Sequence, residues 1–124
     1  MPLKVVIETN RTQVALTAED FYLRDQGALD GACQRARNHW VYGEEDIVRL
    51  ATVIACGIAR CHAFEQGNKR TAVIAGLMFI RLNGYVWTMD NDILLGVLVE
   101  AVVTGRMDEE TFAESIRPFV KLAP

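Results

Sequence analysis

The chain has 124 residues, 51% of them hydrophobic and 23% charged, which is the composition of an ordinary globular protein with one core. Its 13 Lys and Arg against 16 Asp and Glu give a net charge of −3 at pH 7, so no broad positive surface draws it to nucleic acid or to an anionic membrane. No apolar run approaches the roughly 20 residues of a membrane span, and no signal peptide is recognisable, so we expect one cytoplasmic domain over residues 1–124.

The N-terminal part of the chain carries weak signals. Residues 1–16 contain β-branched side chains between Val5 and Val14 and are predicted to form a short extended arm. Thr17 then precedes two acids, as an N-cap residue precedes the first turn of a helix, and this predicts a short helix from Thr17 to about Gly27. A second helix is predicted over residues 29–38.

Two strongly apolar helices follow in the middle of the chain. Gly43–Asp46 opens the third helix, in which apolar residues recur at helical spacing as far as Cys61. The fourth is predicted over residues 68–82 because an Asn-Gly pair follows it directly. Since residues 72–80 have no polar face, we expect this fourth helix to lie at the centre of the fold.

The C-terminal third is predicted to contain a strand and two helices. A short strand is predicted at Tyr85–Met89, and the fifth helix begins after Asp90–Asp92 and runs to Val103. The sixth helix begins at Asp108 and reaches about Val120. About six helices with brief connections predict an all-α fold, a compact helical bundle.

The segment between the third and fourth helices combines a base with an anion-binding turn. His62 closes the third helix and is the candidate general base, since imidazole titrates near neutral pH. Gly67 and Asn68 open the fourth helix, where unpaired backbone N–H groups and the helix dipole favour an anion. Lys69 and Arg70 place two cations at that positive end, which a phosphate group would stabilise.

Each of these residues also has an ordinary structural explanation. A histidine at a helix C-terminus is favoured by the dipole, and Lys69 and Arg70 would by themselves be a solvated surface pair. Phe64 is more simply a loop anchor in the core, and Glu65 and Gln66 would be exposed loop residues. It is the combination within nine residues, 62–70, that favours a phosphate site.

The stretch His62–Arg70, with the sequence HAFEQGNKR, resembles the signature of the Fic/Doc family, H-x-F-x-D/E-A/G-N-G/K-R. Six of the seven restricted positions match, and Lys69 is typical of the Doc (death-on-curing) branch. Further similarity follows in the family's order, so that the resemblance covers about residues 22–118. These further segments are residues 23–29, 38–42, 57–59, 79–85 and 105–111.

The resemblance implies a Fic fold, an all-α bundle with a small β flap, and a toxin of a toxin–antitoxin module. Doc-like members transfer the γ-phosphoryl group of ATP to a threonine of elongation factor Tu and thereby stop translation. Carried onto this chain, the family's base would be His62. The phosphates of the bound nucleotide would be held by Gly67, Asn68, Lys69 and Arg70.

The resemblance also implies a substrate flap and a protein partner. Leu23, Arg24 and Asp25 would belong to a flap that pins the target peptide by β-strand addition. A Phd-like antitoxin would block the site with a segment that folds on binding, and no direct contact with nucleic acid or a membrane is expected.

One position departs from the family pattern. The family's magnesium ligand is an acid, and it is Gln66 here, although Mg²⁺ prefers carboxylates in phosphate sites. Gln66 is therefore a weak candidate ligand, and the activity would be weakened, independent of metal, or lost. Two alternatives stay open. Adenylyl transfer is disfavoured by Lys69 and by Val73, which stand where adenylylating members have a glycine and a second arginine. An inactive Fic-fold binding module is favoured by Gln66.

Overall fold

The computed structural model describes residues 1–124 and contains six α-helices, one 3-10 turn and two short strands. The predicted all-α fold with a small β element is confirmed. No helix combines the length and the apolar character that a membrane span requires. The elements are α1 Leu3–Leu16, α2 Gln26–Val41, α3 Ile47–Cys61, α4 Asn68–Leu82, β1 Tyr85–Trp87, α5 Ile93–Val103, α6 Glu109–Ile116, the 3-10 turn Arg117–Phe119 and β2 Val120–Leu122.

The centre of the molecule is α3, which packs against α2, α4, α5 and α6. Ten of its 15 residues are buried, against five of 15 in α4, so α3 rather than the predicted α4 is the most buried helix. Small residues let these helices approach closely. A Cβ added to Gly76 of α4 would lie 3.4 Å from Ala55 Cβ of α3, and one added to Gly57 of α3 would lie 3.4 Å from Ala32 Cβ of α2. The end of α3 and the start of α4 are therefore held in a rigid frame.

The predicted N-terminal arm is wrong, because residues 3–16 form the helix α1. The buried residues Val6, Asn10 and Val14 recur every four positions, which places them on one face of the helix, and α1 packs against α4 and α2. Burial of this face outweighs the β-preference of the branched residues, as tertiary packing often overrides propensity.

The predicted helix from Thr17 to Gly27 is also wrong. Thr17 ends α1 instead of starting a helix, since its N–H donates to Val14 O at 3.2 Å. Ala18 then adopts a left-handed conformation with φ 56°, and the chain turns away from α1. The following residues reach the end of α3, where Leu23 and Phe64 form an isolated antiparallel bridge.

The remaining predictions differ from the structure mainly at element ends. α2 is longer than predicted, and it begins after Asp25, whose side chain accepts a hydrogen bond from Ala28 N at 2.9 Å. The sixth helix ends at Ile116 rather than Val120, and the chain then forms the 3-10 turn and β2. β2 pairs antiparallel with β1 in the register Tyr85↔Leu122 to Trp87↔Val120, so the predicted strand at 85–89 is present and short.

The N-terminus of α3 is held by one carboxylate. Asp46 accepts hydrogen bonds from Val48 N at 2.9 Å and Arg49 N at 3.4 Å, and it pairs with Arg117 at 2.7 Å. The hydrogen bond from Arg117 holds the pKa of Asp46 below its ordinary value. This contact joins the start of α3 to the C-terminal segment of the chain.

We predict that Asp46→Ala lowers the free energy of unfolding by about 1–2 kcal/mol at pH 7, the usual cost of losing an N-cap. Because the pKa of Asp46 is lowered in the folded state, its carboxylate stabilises the fold above the ordinary pKa of about 4. That contribution is lost as the pH falls through the folded pKa. Urea unfolding of both proteins should show a difference at pH 7 that shrinks at about pH 2. An equal difference at both pH values would contradict a role for the charge.

Candidate functional site

His62 lies at the exposed C-terminal end of α3, directly after Cys61. Its backbone is left-handed, with φ 49° and ψ 41°, a conformation that commonly ends helices. Histidine is one of the few residues other than glycine that adopt it with some frequency. The turn places His62 on the surface while the next two residues, Ala63 and Phe64, are fully buried.

Phe64 and Asn68 close the loop between α3 and α4. The Phe64 side chain is 0% exposed, in the core position predicted for a loop anchor. The Asn68 carboxamide bonds to both backbone groups of Phe64. Its Oδ1 accepts from Phe64 N at 3.0 Å and its Nδ2 donates to Phe64 O at 2.8 Å. The side chain of Asn68, predicted to bind phosphate, is therefore engaged in shaping the loop.

The three predicted flap residues lie beside this loop. Arg24 N and Asp25 N both donate to Ala63 O, at 2.7 and 3.0 Å, and Glu65 N donates to Tyr22 O at 3.0 Å. Leu23, which forms the bridge to Phe64, packs against the hydrophobic core. The flap and the loop thus form a short two-stranded ribbon that carries His62 at one end.

The side chain of Arg24 spans the loop. Its guanidinium donates to His62 O at 3.1 Å, to Phe64 O at 3.5 Å and to the Glu65 carboxylate at 3.1 Å. Arg24 therefore holds the left-handed peptide of His62, a contact that the sequence did not indicate. The Asp25 side chain, by contrast, caps α2.

Gly67 directly precedes α4, in a conformation that strongly favours glycine. It has φ 76°, and a Cβ there would lie 3.0 Å from Val14 Cγ1 and 3.1 Å from Asn10 Nδ2. No side chain caps the helix at Gly67. The backbone N–H groups of residues 68–70 have no hydrogen-bond partner in the chain and form a cluster of open donors at the positive end of the helix dipole.

The two cations of the motif are already paired, whereas the sequence suggested that they await an external anion. Lys69 pairs with Glu100 of α5. Arg70 pairs with Glu19, and it also donates to Thr17 Oγ1 at 2.9 Å and to Gln13 O at 3.4 Å. An incoming phosphate would have to share these cations with the carboxylates or displace them.

Glu19 belongs to a small network at the end of α1. Hydrogen bonds from Thr17 and from Arg70 hold the pKa of Glu19 below its ordinary value. Neither Glu19 nor Glu100 was singled out from the sequence, because their partners lie far away along the chain. Only a packed structure brings such carboxylates to the motif.

Asn10 of α1 is another residue that sequence reasoning missed. Its Nδ2 donates to Gln66 O at 2.8 Å and to Thr71 Oγ1 at 3.0 Å. The signal for it was a polar residue midway between Val6 and Val14 on the apolar face of α1. That signal becomes visible only once the segment is recognised as a helix.

The residues present do not fit a magnesium ion held by protein carboxylates. The structure has no group of three or more His, Cys, Asp and Glu side chains placed to hold a metal ion. Gln66 is exposed and offers a neutral amide, and the nearby motif residue Glu65 pairs with Arg24. The loop therefore offers no unpaired carboxylate to a magnesium ion.

Comparison with known proteins decides the family. The model of the Fic/DOC family matches residues 1–80, which include α1, the flap and the whole loop with its motif. The chain belongs to the Fic/DOC family. The Toxin Doc of Mycolicibacterium smegmatis (strain ATCC 700084 / mc(2)155) is 34% identical over 105 residues, which cover 82% of this chain and 80% of that protein. The Protein kinase doc of Escherichia phage P1 is 30% identical over 96 residues, which cover 77% and 75%. The similarity of this Fic/DOC chain is thus to the Doc branch, as its Lys69 predicts.

We predict that Arg24→Ala loosens the loop between α3 and α4 of this Fic/DOC protein without unfolding it. Loss of the three hydrogen bonds from a half-exposed side chain should lower the free energy of unfolding by about 0.5–1.5 kcal/mol. Amide hydrogen exchange at residues 63–65 should become faster. Arg49→Ala is the matched control, since Arg49 makes only an exposed pair with Glu110 at 3.7 Å. Equal exchange at residues 63–65 in both variants would show that Arg24 does not hold the loop.

Proposed function

We propose that this chain is a Doc-like toxin of a toxin–antitoxin module. It would transfer the γ-phosphoryl group of ATP to a protein hydroxyl, in the first instance a threonine of elongation factor Tu, and so inhibit translation. The observation that carries the proposal is the junction of α3 and α4, where an exposed imidazole lies close in the chain to a helix N-terminus with open N–H donors. Membership of the Fic/DOC family and relatives named a toxin and a protein kinase support it.

The phosphate groups of the nucleotide are assigned to the start of α4. The N–H groups of residues 68–70 are the open donors, and the Lys69 and Arg70 side chains supply positive charge. Phosphoryl transfer needs positioning and charge stabilisation more than covalent help, which suits a site made of backbone donors and two cations. Glu19 and Glu100 have to give up or share their cations when the nucleotide binds.

His62 is assigned the role of general base. It accepts the proton of the target hydroxyl as the hydroxyl oxygen forms a bond to the γ-phosphorus. The bond between the γ-phosphorus and the bridging oxygen to the β-phosphate breaks, and ADP leaves with that electron pair. Arg24 keeps the His62 backbone in its left-handed turn during this step.

The flap and an antitoxin complete the proposal. Residues 22–25 run beside His62, so a target peptide that pairs with their outer edge would bring a hydroxyl to the imidazole. A Phd-like antitoxin is the proposed partner, and it would inhibit the toxin by covering this site with a segment that folds on binding.

A second candidate function is a Fic-fold binding module without transferase activity. Two observations favour it: Gln66 replaces the family's acid, and both motif cations already have carboxylate partners. A site that is neutralised from within has less need of an external anion. Nucleotide binding measured by calorimetry distinguishes this module from the enzyme.

We predict that the purified chain, incubated with ATP, Mg²⁺ and elongation factor Tu, increases the intact mass of the factor by one phosphoryl group. His62→Ala should reduce the rate by at least about 100-fold, the range that a general base contributes. His39→Ala, which changes the chain's other histidine, is the matched control and should keep full activity. A gain of one adenylyl group would assign the chain to adenylyl transfer. No gain, together with no binding of ATP, would support the binding module.

We further predict that Gln66→Asp raises the transferase rate severalfold in the presence of Mg²⁺. The substitution restores the carboxylate that the family uses at this position, and a carboxylate binds Mg²⁺ better than an amide does. Gln34→Asp, on the exposed surface of α2, adds the same charge away from the loop and should leave the rate unchanged. If Gln66→Asp and the wild type have equal rates at all Mg²⁺ concentrations, residue 66 is not the metal position.

A further inference from the structure

Asn10 joins α1 to the loop that precedes α4. It is 0% exposed, and with Thr52 and Thr71 it is one of three buried polar residues. Its Nδ2 bonds to Gln66 O at 2.8 Å and to Thr71 Oγ1 at 3.0 Å. Because a backbone carbonyl can only accept, it must be the nitrogen of the carboxamide that faces Gln66. One side chain of α1 therefore holds both the loop and the first turn of α4.

Packing alone does not account for an amide at this position. Asn10 Oδ1 is buried and has no hydrogen-bond partner, which is unfavourable for any polar atom. An apolar side chain would avoid this cost, as Val6 and Val14 do on the same face of α1. The contribution that asparagine makes here is its pair of hydrogen bonds to Gln66 and Thr71.

These contacts determine the course of the backbone at Gly67. Gln66 O, before Gly67, is held by Asn10, and Gly67 O accepts from Thr71 N at 2.9 Å. Gly67 itself lies so close to Asn10 and Val14 that a Cβ would force these neighbours to shift. The peptide groups on both sides of Gly67 are thus held in place. The open N–H donors belong to residues 68–70, the next three residues of the chain.

We infer that Asn10 is a positioning residue of the phosphate-binding turn. It holds the Gln66 carbonyl, and through it the N–H groups of residues 68–70, in the orientation that receives the phosphates of ATP. This inference rests on the proposed function of the turn. Donors that are fixed before the ligand arrives bind charge without reorganising, so loosening them weakens phosphate binding and leaves recognition of the protein target unchanged.

The test compares Asn10→Leu with Val6→Ala. The leucine variant removes both hydrogen bonds and replaces the amide with an apolar side chain of similar branched shape, while Val6→Ala weakens the same helix at another buried position of α1. In Asn10→Leu, amide exchange at residues 67–70 should be about tenfold faster and ATP binding about tenfold weaker, the effect expected from losing the hydrogen bond that holds Gln66 O. The KM for ATP should rise while the KM for the protein target stays constant. In Val6→Ala these quantities should match the wild type.

Thr71→Val separates the two contacts of Asn10, since it removes the bond to Thr71 and keeps the bond to Gln66. If amide exchange at residues 67–70 is as slow in Thr71→Val as in the wild type, the inference is supported. Equal effects in Thr71→Val and Asn10→Leu overturn it, because Asn10 would then only join α1 to α4. Unchanged exchange and ATP affinity in Asn10→Leu also overturn it. If Asn10→Leu does not fold, Asn10→Ala gives the same comparison with Val6→Ala.

The proposed function and this inference fail in different ways. If the wild type binds no ATP, the proposed function is wrong. The exchange rates at residues 67–70 then decide by themselves whether Asn10 holds the turn, since they are measured without nucleotide.

Discussion

The packing of the Phe64 side chain in the hydrophobic core is the interaction on which the rest of the site depends. It fixes the middle of the loop between α3 and α4 in the core together with the buried Ala63, while His62 and Glu65 stay at the surface. Its backbone is bonded by Asn68 on one side and approached by Arg24 on the other. A buried aromatic residue with satisfied backbone groups gives a loop the rigidity that catalytic geometry needs. His62 and Gly67 owe their relative position to this anchor.

The electrostatics of the site are balanced within the chain. Lys69 and Arg70 raise the positive potential at the start of α4, and Glu100 and Glu19 lower it again. These pairs are only partly buried, so water screens them and a phosphate with several charges can compete for the cations. The balance explains how two adjacent cations are tolerated at the positive end of a helix dipole. The affinity of the site for a phosphate then depends on how much more strongly Lys69 and Arg70 bind the phosphate than they bind Glu100 and Glu19.

Three helices, α1, α3 and α4, contribute different groups to the loop between α3 and α4. α3 presents His62, α4 presents the open N–H donors, and α1 supports the turn from behind through Asn10 and Val14. Close contacts at Gly57 and Gly76 keep this frame from shifting, because small residues allow helices to approach without gaps. The residues of the proposed site therefore lie on rigid elements, and the connecting loop is short and hydrogen-bonded from both sides.

The local signals of the sequence determined α3, α4 and the motif between them. Helical spacing, an Asn-Gly terminus and the residues 62–70 act over short distances along the chain, so they can be recognised without a fold. Only the tertiary structure decided that residues 3–16 form a helix, that Arg70 meets Glu19, and that Arg24 holds His62 O. Asn10 reaches Thr71 across 61 residues of sequence, and no local pattern encodes such a contact. The physical reason is burial: whether an ambiguous segment becomes a helix, and which polar groups it pairs, depends on the surface against which it packs.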